Sequence, residues 1–105
     1  MKTHLTPLNS SSTRKTEVVL ETNDITFVHM IFNSKEGLPI HPAHADLSMT
    51  VLSGALTITL DGNEQRVEAK TIVSIPYGVT MHVRNEDESQ LELLVIKDFS
   101  RHKHA

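Results

Sequence analysis

The feature that most constrains this chain is a period of two. In Leu56-Thr-Ile58-Thr-Leu60 every second residue is apolar, and Asp61-Gly62 follows at once. Such alternation suits a strand with one face in a core, and an Asp-Gly pair tolerates the positive φ of a tight hairpin. The same texture recurs in short β-branched runs at 17–21, 25–32, 47–52, 55–60, 65–68, 71–75, 79–84 and 91–96. Turn residues separate the runs, among them Asn23-Asp24 and Ser53-Gly54. No segment shows the 3.6-residue apolar spacing of an amphipathic helix, and the charged patch 85–90 reads as a loop. Short strands at close spacing predict an all-β sandwich or barrel.

A chain of 105 residues supplies one domain. The expected layout is a flexible, serine-rich N-terminal arm at 1–16, a folded domain at 17–99 and a polar tail at 100–105. A net charge of -3 argues against nucleic acid and anionic membrane surfaces as partners, since both call for a basic face. The absence of cysteine excludes disulfides, thiolate nucleophiles and Cys-based metal clusters. The apolar run Leu93-Leu94-Val95-Ile96 is far too short to span a membrane. No apolar segment follows Lys2 as a secretory leader would require, so a cytoplasmic location is expected. Ser10, Ser11 and Ser12 have no histidine or acid beside them to build a nucleophile. The scattered glycines form no phosphate-cradling loop.

Two stretches remain. The first is Gly37-Leu-Pro-Ile-His41-Pro-Ala-His44-Ala-Asp-Leu-Ser-Met-Thr-Val-Leu-Ser-Gly54, and the second is Ile75-Pro76-Tyr-Gly78-Val-Thr-Met81-His82-Val-Arg-Asn85. Their order, with Val51-Leu-Ser-Gly54, the Asp61-Gly62 hairpin and Ile75-Pro76-Tyr-Gly78-Val79 as the most specific parts, resembles the RmlC-like cupin superfamily over residues 25–96. The resemblance implies a double-stranded β-helix, the cupin jelly-roll barrel, with a pocket at its centre. In metal-binding cupins the first motif carries two histidines one residue apart and then a carboxylate, and the second motif adds a third histidine. Alternate strand residues share a face, so a His-x-His pair aims two imidazoles into one cavity. Three imidazoles and a carboxylate suit a divalent transition metal.

Set against that pattern, His41 falls on the first histidine position, Ala43 on the second, Leu47 on the acid and Met81 on the third histidine. The expectation is therefore a small-molecule-binding barrel with no metal site and no cofactor. Its largely apolar pocket would be lined by His41, Leu47, Met49, Met81 and Val83, with Tyr77 and Arg84 as rim contacts, and its ligand would be a small organic molecule. His44 and His82 each stand one residue out of register, and a slip of one turns a side chain to the opposite face. The alternative is a metal-dependent enzyme of dioxygenase or isomerase type, with a centre rebuilt from His41, His44 and His82 through an inward curl and a β-bulge. His29, alternating with Phe27 and Ile31, reads as structural. Strand edges in such barrels invite pairing with a second copy, so a homodimer is expected.

Overall fold

The alternating runs pair into two antiparallel sheets. The computed structural model describes residues 3–10 and 16–102. Its strands are β1 (Thr16–Glu21), β2 (Ile25–Phe32), β3 (His41–Pro42), β4 (Asp46–Ser53), β5 (Leu56–Leu60), β6 (Asn63–Val67), β7 (Ile72–Ile75), β8 (Thr80–Arg84) and β9 (Leu91–Asp98). One sheet runs β1-β2-β9-β4-β7 and the other β3-β8-β5-β6. The fold is all-β, as the two-residue period predicts, and its two sheets form the jelly roll that the resemblance implies.

Register explains the core. Along β4, Leu47, Met49 and Val51 are buried, and the residues between them are partly exposed. Met49 lies opposite Val95 on β9 and Val73 on β7. Inward positions of the other strands add Val28, Met30, Phe32, Leu56, Ile58, Met81, Val83, Leu91 and Leu93 to one contiguous cluster. Large side chains from both sheets thus meet and fill the barrel.

Strand edges moved where hairpin geometry governs them. The turn at Asp61 and Gly62 has φ of 47° and 87°, so β6 pairs with β5 from Asn63 onward, with Leu60 opposite Asn63. A strand beginning at 65, as composition suggests, would leave that two-residue turn unclosed. β3 is the element the two-residue period misses. It is short, contains Pro42, and is held by its neighbours: the Leu38 amide donates to the Val83 carbonyl at 2.9 Å, and the Ala43 amide donates to the Val79 carbonyl at 2.9 Å. The buried Asn85 then fastens the 85–90 loop, donating to the carbonyls of Phe32 at 3.1 Å and Ser89 at 2.8 Å and accepting from the Asp87 amide at 3.0 Å.

The arm at 3–10 reaches the outer face of the larger sheet. Ser10 Oγ donates to Glu92 Oε2 at 2.7 Å. Residues 11–15, which carry the rest of the serine-rich run, lie outside the described residues, as do 103–105 of the tail.

Gly54 is the turn on which the approach of β4 to β5 depends. Its φ is 78°, and a Cβ there would run into the Gln90 carbonyl. Gly62 has φ of 87° but open space around it. Gly54→Ala is expected to lower stability by about 2 kcal/mol or more, against about 1 kcal/mol for Gly62→Ala. Urea unfolding midpoints compared at constant m measure the difference.

Candidate functional site

β3 and β8 lie side by side, with His41 opposite Met81. The chain then turns through Ala43 to Ala45, where the Gly78 amide donates to the Ala43 carbonyl at 2.9 Å. These contacts bring the end of the first motif onto the turn that opens the second. Between them and the end of β9 lies a cavity of about 50 Å³. Its apolar wall is Ala45, Leu47, Met81 and Phe99, and its polar side is His41, His44 and Lys97.

His41 is oriented. Its Nδ1 lies 2.8 Å from the Pro39 carbonyl. A carbonyl oxygen only accepts, so Nδ1 carries the hydrogen and Nε2 is the nitrogen left for a ligand. His44 is exposed, with its ring centroid 6.4 Å from that of His41. His41, Leu47 and Met81 are among the residues that line the cavity. Met49 and Val83, expected beside them, are not among its lining residues; they are 1% and 0% exposed in the packed core. The large inward side chains pack the interior around Met49 and Val83, and this cavity lies at the barrel's mouth.

The trio His41, His44 and His82 does not assemble. His82 alternates with buried Met81 and Val83 on β8, and its Nδ1 faces the Arg84 guanidinium at 3.4 Å, beside Thr59. No β-bulge re-aims it: Met81, His82, Val83 and Arg84 pair without a break with Leu60, Thr59, Ile58 and Thr57. Arg84 also departs from its expected place at the rim, since it engages Glu86 at 3.0 Å and Thr59 at 3.0 Å. Tyr77 stacks on His102, with centroids 4.2 Å apart and planes 12° apart.

The side chains present do not fit the metal that the resemblance implies. At the other three ligand positions, Ala43 and Leu47 offer no donor atom and Met81 only a thioether. Two of these side chains, Leu47 and Met81, wall the cavity themselves. Among the described residues no group of three His, Asp or Glu side chains is placed to hold a metal ion.

A larger groove of about 350 Å³ passes Asp46, Ser74, Asp98 and Arg101. Its acids are already engaged. Asp46 accepts from the Tyr77 amide at 3.0 Å and faces Arg101 at 3.6 Å and His102 at 3.7 Å. Asp98 accepts from the Ser100 amide at 2.9 Å.

One buried polar cluster lies away from the barrel's interior. On the opposite face of β2 and β9, His29 Nε2 donates to Glu92 Oε2 at 2.6 Å, and both residues are buried. His29 is thus buried and engaged by Glu92. Burial pushes the Glu92 carboxyl up, but the hydrogen bonds from Ser10, His29 and Ser53 together outweigh it and hold the group below its ordinary 4.5.

The described residues form no helix long and apolar enough to cross a membrane. The model of the Cupin domain family matches residues 26–97, more than half of the chain. An uncharacterized protein of Methanocaldococcus jannaschii is 25% identical over 88 residues, covering 83% of this chain and 76% of that protein. The crystal structure of an RmlC-like cupin family protein with a double-stranded β-helix fold, from the same organism, superposes with a TM-score of 0.84 at 23% identity, over 93% of this chain and 92% of that one. A Cupin 2 conserved barrel domain protein of Salinispora arenicola gives a TM-score of 0.80 at 14% identity, over 96% and 92% of the two chains.

The Glu92 cluster generates a pH prediction. The unfolded chain takes up the proton at a higher pH than the folded one. This contribution to stability is therefore complete above about pH 4.5 and fades as pH falls below it. Glu92→Gln is expected to cost about 1–3 kcal/mol at neutral pH, with the gap to the parent protein narrowing below that value. Thermal unfolding across pH 3 to 7 reads both.

Proposed function

Because the chain belongs to the Cupin domain family, we propose that it is a small-molecule-binding cupin that works at the mouth of its barrel without a bound metal. The observation that carries this reading is the lining of the cavity. Where a metal-binding relative would place three imidazoles and an acid, this chain keeps only His41 at those positions and sets it against an apolar wall of Ala45, Leu47, Met81 and Phe99, with His44 and Lys97 completing the lining. A compact apolar wall with one oriented polar group is a recognition site, with area for affinity and a fixed hydrogen bond for direction. His41 Nε2 accepts a hydroxyl or amine hydrogen from a ligand whose body rests on Leu47 and Met81. The cavity, about 50 Å³, suits a body of a few heavy atoms.

The reading is tested by following the Met81 methyl in ¹³C NMR while small polar molecules are screened. Binders are expected to move Met81 and leave Met30 and Met49 in place. Ala45→Leu, which fills the cavity with three further carbons, is expected to abolish the shifts. Binders that move no mouth residue, or that bind the filled variant equally well, would place recognition elsewhere.

The same reading includes a homodimer. β1 is an edge strand of the larger sheet, and Val18 on it is 54% exposed. Such an edge offers unpaired backbone groups to a second copy. Sedimentation at micromolar concentration is expected to give twice the 11.7 kDa chain mass; a single species at that mass removes the dimer from the account.

A further inference from the structure

The residue that the motif comparison passes over is Lys97. It stands on β9 at the inward parity of Leu93 and Val95, opposite Leu47 on β4 and Thr26 on β2. Lysine is an unusual choice for the last inward position of a barrel strand, because burying its charge without a partner is costly. Lys97 is only half-buried, and it lines the cavity together with His41 and His44. No carboxylate belongs to that lining. The acids nearest in sequence and register, Asp98 and Asp46, occupy the alternate positions of their strands and are held by Ser100, Tyr77, Arg101 and His102. Among the described residues Lys97 has no ion-pair partner. One side of the cavity thus carries a cation and two imidazoles with no compensating anion, and the other side is apolar.

We propose that the missing anion comes with the ligand. The cavity takes a small carboxylate, whose charge pairs with Lys97 and whose hydroxyl or amine hydrogen goes to His41 Nε2. This inference rests on the binding reading above and adds the chemical class of the ligand. Charge-assisted hydrogen bonds of this kind are stronger than neutral ones, and a partly dry wall strengthens them further. A lysine that only laid its alkyl stem along the wall, with its ammonium in water, would make no such distinction between charged and neutral ligands.

Glycolate and its neutral amide, glycolamide, differ in that one respect and have two carbons each. With the methionine methyls labelled, glycolate is expected to shift Met81 saturably, and glycolamide to bind about tenfold more weakly or worse. Lys97→Met keeps most of the length of the side chain without its charge. It is expected to weaken glycolate about tenfold, so that glycolate and glycolamide bind alike, while Lys97→Arg restores most of the difference between them. Equal binding of the two compounds, or glycolate affinity retained in Lys97→Met, would overturn the carboxylate assignment. If neutral compounds then still shift Met81, the binding reading stands without it. If no compound of either class moves Met81, both fall together.

Discussion

The structure depends on the register between β4 and β9. Met49 opposite Val95 and Leu47 opposite Lys97 set which residues of the central strands face inward, and the rest of the barrel follows from that choice. A slip of β4 by one residue would bring Ser48 and Thr50 inside and turn Leu47, Met49 and Val51 outward. Because side chains on both sheets obey the same alternation, the interior closes on Phe32, Met49, Leu56, Ile58 and Val83, all at most 1% exposed. At the end of the barrel, residues of β3 and of the end of β9 line one cavity, and polar side chains reach inward positions there.

Function follows from what that closure leaves. A cupin barrel hosts many activities, and the scaffold alone selects none of them. In this chain the positions that would converge on a metal carry Ala43, Leu47 and Met81, and the proposed recognition role rests on that substitution. The outer face of the larger sheet answers a separate requirement. His29 and Glu92 are buried there as a pair, and Ser10 ties the N-terminal arm to the same carboxylate. A buried charge is tolerated because its hydrogen bonds are satisfied; the cluster belongs to stability and to the position of the arm.

Much of the fold was legible in the residues. The alternation of Leu56, Ile58 and Leu60, the Asp61-Gly62 turn and the Ile75-Pro76-Tyr-Gly78 segment locate strands and a hairpin that the structure contains. β3 was not legible, because its two residues pair through contacts made by distant segments and Pro42 disguises them. Parity on β8 placed His82 on the wrong face for the cavity, and the structure keeps it there beside Arg84 and Thr59. Parity could equally have found Lys97, which continues the inward series of Leu91, Leu93 and Val95. The run at 91–96 ends one residue short of it, because a charged residue at that point reads as the end of a strand. Met49 and Val83 show the opposite limit. Their inward direction was readable, but how far neighbouring side chains fill the space between them is a property of packing in three dimensions.

The central claim is that this barrel recognises its ligand without a metal. Elemental analysis of untagged protein, purified without chelator and compared with His41→Ala, tests it most directly. The account predicts transition metal far below one equivalent per chain in both proteins. Near-stoichiometric metal in the parent protein that disappears on removal of His41 would contradict it.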